Sequence, residues 1–325
     1  MRTFVGKGIF WYTIWCMGKN VREVSHGGLV WVNVTKQGER ELGELEQRFG
    51  LNHVDVVESR PTFQRPKLVR REQYFFVVLH FPVFDRESRR LGFAEVDFFL
   101  SQHYLITVHD NKLHVIEDFF SLCRKSAEVR VQFFSGTTAH LFFELLTRLF
   151  ETVFPILLHV SDDINTVDRK LFVSGQGRDM VEEILRLKTN IVAFRRTMQG
   201  HRTVLDRLAI LGGRELGLSP YQNYMNSLRE STVEIWHMLE SQNESINSLH
   251  ETNESMITLR TNEVMRTLTV ISVVTFPLTL LATLFSVNAG GTPFLHNAFG
   301  FWILLALTLV GAAVLLYVFR RRKWL

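Results

Sequence analysis

The last acidic residue of this 325-residue chain is Glu263; no Asp or Glu follows it to Leu325. Charge of either sign is missing from Leu268 to Val287 and again from Phe299 to Phe319. Each run is about 20 residues, the length a helix needs to cross roughly 30 Å of hydrocarbon. Only two cysteines occur, Cys16 and Cys123, which excludes a disulfide framework and a thiolate metal site. No Gly-Lys-Ser/Thr phosphate loop is present, so nothing in the chain offers an ATP drive. His250-Glu251 lacks the second His of a zinc-protease helix, and no other catalytic cluster appears, so the chain reads as a non-enzyme. The apolar stretch Ile9 to Met17 is short, is broken by Tyr12 and Thr13, and has no cleavage-type tail, so it is not a signal peptide. A net charge of only +4, partly held in the final Arg320 to Lys323, provides no basic stripe for nucleic acid.

What is there is a membrane hairpin preceded by a large folded region. The chain is 46% hydrophobic and 22% charged, too long for one small domain and ordinary in its polar part. Arg260 and Arg266 precede the first run and Arg320 to Lys323 follow the second, while the connecting loop has no Lys or Arg. The positive-inside rule then predicts both termini in the cytoplasm and the loop outside. Trp302 and Trp324 lie near opposite ends of the second run, where interfacial indoles are favoured.

The first run carries hydroxyls at helical spacing. Thr269, Ser272, Thr279, Thr283 and Ser286, with Phe276 filling the gap, step by three and four residues and share one helix face. A helix lining a water-filled pore needs such a face, because hydroxyls solvate a hydrated ion without fixed charge. The competing reading has these side chains bonding back to their own helix carbonyls or joining helices together.

The segments before the hairpin read in order. Leu29 to Val34, Tyr74 to Phe84, Phe93 to Leu100 and Tyr104 to His109 are predicted strands, and Glu39 to Phe49 a short helix closed by Gly50. Thr138 to Phe172 is predicted as one helix kinked at Pro155. A partner helix is expected from an Asp179 N-cap to about Leu211, ended by Gly212-Gly213 and forming an antiparallel hairpin with it. Ser219-Pro220 reads as an N-cap and first helical position, and no Gly or Pro follows until Pro277. One helix is therefore expected from Pro220 to about Val287, roughly 100 Å long. Its interrupted stripe of Leu228, Ile235, Leu239, Ile246, Leu249 and Met256, mixed with Gln242 and Asn253, suits a coiled coil between copies.

Glu263-Val-Met-Arg-Thr-Leu-Thr, Phe276-Pro-Leu-Thr279 and Ser286-Val-Asn288 together resemble the first membrane helix of the CorA superfamily of divalent-cation transporters. Trp31-Val-Asn, Arg48-Phe-Gly-Leu-Asn-His53, Arg65-Pro-Lys67, Phe76-Val-Val-Leu, Phe98-Phe-Leu and Tyr104 to His109 resemble that family's cytoplasmic domain in the same order. The ending Arg320 to Leu325 is similar as well. Gly290-Gly291-x-Pro293 and Gly300-Phe-Trp302 look more like the ZntB zinc-transport branch than the magnesium channels. The resemblance covers nearly the whole chain and is specific mainly at 261–293.

The resemblance implies an α+β membrane protein: a cytoplasmic α/β/α domain, a long stalk helix and two C-terminal transmembrane helices, assembled as a CorA-like homopentamer in the inner membrane. The expected division is 1–130 α/β domain, 131–218 helical hairpin, 219–267 stalk, 268–287 pore helix, 288–298 outer loop, 299–319 second span and 320–325 basic tail. Asn288, with Val287 and Ser286, would form a filter that holds the ion through its hydrating water. Ser272, Phe276, Thr279 and Thr283 would line the pore, and Met265 and Leu268 would be an apolar gate. Gly290, Gly291, Pro293 and His296 form the outer loop. No resident cofactor is expected; the cargo is a divalent cation, Zn2+ slightly favoured over Mg2+ or Co2+. The family's Gly-Met-Asn is Ser286-Val287-Asn288 here, which leaves a non-conducting membrane regulator or metal sensor as the alternative.

Overall fold

The computed structural model describes residues 20–35, 39–60, 64–134, 136–173, 177–215, 219–286 and 299–322. The chain divides into two compact units, Met1–Ser248 and Leu249–Leu325.

The first unit is built on a six-stranded sheet. In chain order the strands are β1 (Val21–His26), β2 (Leu29–Val34), β3 (Lys67–Arg70), β4 (Phe75–Asp85), β5 (Arg90–Leu100) and β6 (Tyr104–His109). They lie in the order β1-β2-β6-β5-β4-β3, with only β2 and β6 parallel. β4 and β6 are apolar on both faces, as strands covered by helices on two sides must be. Pro82 sits in β4 opposite Phe93 of β5, beyond the stretch of β4 that β3 covers, so its missing N–H breaks no ladder bond on that side.

One face is closed by α1 (Glu39–Phe49) and α2 (His53–Glu58), whose Leu42, Leu45 and Val56 pack with Val32, Val34, Phe76, Val78, Phe99, Ile106 and Val108. Gly50 ends α1 at φ +64, and Leu51 N–H returns to the Glu46 carbonyl at 3.1 Å, the bond of a Schellman cap. Asn52 caps α2 by accepting from Val54 N at 2.9 Å. The opposite face, with Trp31, Phe75, Phe81 and Phe98, is covered by helices that share one core with it. These are α3 (His114–Lys125), α5 (Thr138–Glu151), α6 (Val153–Val173), α7 (Gly177–Glu215) and the start of α8 (Gln222–Ser286); α4 (Ala127–Phe133) joins α3 to α5. The arrangement is the expected α/β/α sandwich.

Several local expectations are corrected. The helix predicted over Thr138 to Phe172 is two helices, parted at Thr152; Pro155 falls in the first turn of α6, where its missing N–H costs nothing. α7 begins at Gly177, so Asp179 is a first-turn acid favoured by the helix dipole and not the N-cap. It also runs through Gly212-Gly213 to Glu215. Ser219–Tyr221 is a 3-10 turn, and α8 starts after it at Gln222. α6 and α7 do pair as an antiparallel hairpin. Arg186 contacts Asp163 at 3.1 Å, each residue lying similarly far from the connection. Gly200 of α7 is required by close approach: a Cβ there would lie 2.4 Å from Pro66 Cβ.

The stripe on α8 is broader than expected and already occupied. Met225, Leu228, Thr232, Ile235, Leu239, Gln242, Ile246, Leu249 and Asn253 are all buried in a single chain, alternating steps of three and four. Met225 to Leu239 belong to the core shared with α5, α6 and α7. Gln242 Nε2 donates to the Leu157 carbonyl and to Ser161 Oγ of α6, both at 2.8 Å. In the first unit this seam packs within the chain and is not left open for a coiled coil between copies.

Candidate ion pathway

The second unit contains the end of α8 and α9 (Gly300–Arg321), the two helices long and apolar enough to cross a membrane. Their large apolar side chains are turned outward: Leu268, Ile271, Phe276, Leu280 and Leu284 on α8, and Phe301, Trp302, Leu309, Val310 and Tyr317 on α9 are all exposed. Water would not tolerate such a surface; lipid or further copies of the chain would cover it.

α8 presents two different faces here. Val270 is buried, and Val274, Leu278 and Leu281 are partly covered. They follow one side of the helix, and a Cβ at Gly311 of α9 would lie 3.8 Å from Leu278 Cδ2. This side therefore meets α9, where a Cβ at Gly311 would sit in ordinary van der Waals contact with Leu278. Met265, Leu268, Thr269, Ser272, Phe276, Thr279 and Thr283 occupy about 100° of arc on the opposite side, at 3.6 residues per turn. All seven are exposed, Phe276 at 74%. The predicted lining and gate residues thus share one face that no part of this unit covers. The α9-facing side has a signal in the sequence, Val270, Val274 and Leu278 at four-residue steps.

The threonines have spent their hydrogens. Thr269 Oγ1 donates to the Met265 carbonyl at 2.7 Å and Thr279 Oγ1 to the Thr275 carbonyl at 2.9 Å, and Thr283 Oγ1 donates to the Thr279 carbonyl. The back-bonding reading is therefore correct for these side chains, yet it does not remove the polar face. A hydroxyl that donates to its own helix still turns lone pairs outward as an acceptor.

Charge sits at one end only. Arg260, Glu263 and Arg266 precede the apolar part of α8, and Arg320, Arg321 and Arg322 end α9, with no acid in α9. Among the described residues, no group of three or more His, Cys, Asp or Glu could hold a metal ion. Ser286 is the last residue of α8. Val287, Asn288, Gly290, Gly291, Pro293 and His296 lie outside the described residues, as do Cys16, Gly175, Lys323 and Trp324.

An α/β unit joined through one long helix to an apolar helical pair defines a two-span membrane protein. The model of the family described as CorA-like Mg2+ transporter protein matches residues 26–321. The cobalt/magnesium transport protein CorA of Methanocaldococcus jannaschii is 22% identical over 299 residues, 91% of this chain and 92% of that protein. The zinc transport protein ZntB of Yersinia pseudotuberculosis is 22% identical over 275 residues, 80% of this chain and 77% of that one. The complete structure of the CorA magnesium transporter from M. jannaschii superposes with a TM-score of 0.78 at 20% identity, covering 94% of both chains. The chain belongs to the CorA family of divalent-cation transporters.

Proposed function

We propose that five copies of this chain surround an axial pore and pass a hydrated divalent cation across the cell inner membrane, with both termini in the cytoplasm. The observation that carries the reading is the hydroxyl face of α8, turned away from α9 with its threonine hydrogens returned to the backbone. Inner-shell waters of a divalent cation point their hydrogens outward and need acceptors around them. Ser272, Thr279 and Thr283 would supply those acceptors along the lining, with Phe276 narrowing it. Stripping the waters would instead demand carboxylates, and the chain has none after Glu263.

In this reading Met265 and Leu268 close the path by dewetting, as apolar rings do. Asn288, with Val287 and Ser286, forms the filter at the outer mouth, where a ring of amide oxygens accepts from the ion's waters. Gly290, Gly291, Pro293 and His296 shape the outer loop. The number five comes from the family resemblance; the layout of α/β domain to 130, helical hairpin to 218, stalk to 267, pore helix, loop, second span and basic tail rests on the charge-free runs, helical periods and Gly and Pro breaks. The Gly-Gly-x-Pro loop argues for Zn2+, while the CorA relative matched over 91% of this chain is named for cobalt and magnesium.

The test is flux in proteoliposomes loaded with a dye for Zn2+, Mg2+ or Co2+. Uptake of at least one ion is expected, and Asn288→Ala should abolish it while the oligomer remains intact by size. Undiminished flux in Asn288→Ala removes the filter assignment. Vesicles impermeable to all three ions favour the regulator that the altered Ser-Val-Asn triplet left open.

A further inference from the structure

On the α2 side of the sheet the fold buries a carboxyl group that has no hydrogen-bond partner among the described residues. Asp97 of β5 is 1% exposed, and neither of its carboxyl oxygens has a hydrogen-bond partner among the described residues. Its strand neighbours are Val78 of β4 and Val108 of β6, which offer nothing polar. The charged groups facing it are Glu95 from its own strand, Lys67 from β3 and Glu58 from the end of α2. His80 of β4 faces Glu95, its Nε2 lying 3.0 Å from Glu95 Oε2. Lys67 is engaged by Glu58 at 2.5 Å, and Glu95 Oε2 accepts from Gln64 N at 2.7 Å, so both are satisfied elsewhere.

Ser59, the C-cap of α2, also lies beside Asp97. Its hydroxyl hydrogen is committed to the Asp55 carbonyl at 2.9 Å, so Ser59 has lone pairs to offer and no donor. An ionised Asp97 would find no donor there, and burying it unpaired is prohibitively expensive. A neutral Asp97 has an O–H to give, and Ser59 Oγ is free to accept it.

We propose that Asp97 is a proton-binding site of the α/β unit, holding its proton against Ser59 Oγ and so fastening the end of α2 to the sheet. Burial first, then the Glu95 charge, holds the Asp97 proton well above the usual carboxylate range. Because the folded pKa is raised, the folded state is favoured at low pH; the contribution is lost as pH rises from about 4 toward the folded value. The site would make the seating of α2 sensitive to pH on the side of the membrane that this unit occupies.

The full-length protein in detergent is compared with Asp97→Asn, whose amide stands in for the neutral acid and donates to Ser59, and with Glu95→Gln. At a pH of about 5.5, where an ordinary Asp is ionised, the infrared spectrum of the wild type should contain a protonated-carboxyl band that Asp97→Asn lacks. Relative to Asp97→Asn, the wild-type melting temperature should fall as pH rises, and Glu95→Gln should move the loss of the band to lower pH. No band lost in Asp97→Asn, parallel pH profiles for the two proteins, or a large drop in melting temperature of Asp97→Asn at pH 5.5 would each overturn the assignment.

Discussion

His109 at the end of β6 shows how a single side chain can set the acid limit of this fold. Its Nε2 lies 2.9 Å from Asn33 Oδ1, and its Nδ1 accepts from Asn111 N at 3.1 Å, so the ring is held neutral with the hydrogen on Nε2. Asn33 Oδ1 also accepts from Thr107 Oγ1 at 2.8 Å, and Thr107 accepts from Trp31 Nε1 at 3.1 Å, which ties the ring into the buried centre of the sheet. Burial pushes the imidazole down to about 4. The folded value is below the free one, so the unfolded chain takes up the proton first as pH falls. The His109 contribution to stability should therefore fall away between about 6.5 and 4, opposite in sign to that of Asp97. His109→Gln should flatten that loss in thermal melts; His201, fully buried between Phe81 and Phe150 and lowered to about 3, adds a loss of the same sign. None of this network was legible from the residues alone. Asn33 and His109 stand inside apolar strands, and only the pairing of β2 with β6 brings them into reach of each other.

Elements differ in how plainly their residues announce them. Strands β2 and β6 and helix α1 fall where alternation and Gly50 put them, because each carries its own signal over six or more residues. Edge strands β1 and β3 do not. Val21–His26 has four polar residues in six, and Lys67–Arg70 is four residues with a charge at each end, which suits an edge but hides a strand. Pro155 does not reveal the break between α5 and α6, because it is as compatible with a helix start as with a kink. The long α8 was foreseeable from its lack of Gly and Pro, but not the destination of its buried stripe. In that stripe Gln242 Oε1 is buried without a partner among the described residues, while Nε2 reaches an α6 carbonyl. Gln242→Leu, similar in size and free of the orphan oxygen, should leave the melting temperature unchanged or raise it. Leu239→Ala, cutting a fully buried side chain, should cost about 2–5 kcal/mol in denaturant unfolding.

For the whole molecule the deciding question is which side of the α8 membrane segment meets water. Cys123 is buried, with its thiol pushed up to about 11, so it reacts poorly with maleimides, and Cys16 can be replaced. In that background Ser272→Cys and Thr283→Cys should be labelled by a membrane-impermeant thiol reagent in the open state, and Val274→Cys, on the α9 side, should not. Equal labelling of all three, or of Val274→Cys alone, would turn the hydroxyl face into a lipid or packing surface. The hydroxyl face was legible in outline from its spacing. Its orientation was not, because that depends on where α9 packs. The proposed filter, Ser286-Val287-Asn288, rests only on its resemblance to the family's Gly-Met-Asn.

The returned threonine hydrogens bear on the sign of the charge a pore would accept. Water around chloride turns its oxygens outward and seeks donors, and a wall that has given its hydrogens to its own backbone has none to offer. A channel lined by Thr279 and Thr283 would then reject anions without a single fixed negative charge, through the direction in which its hydroxyls point.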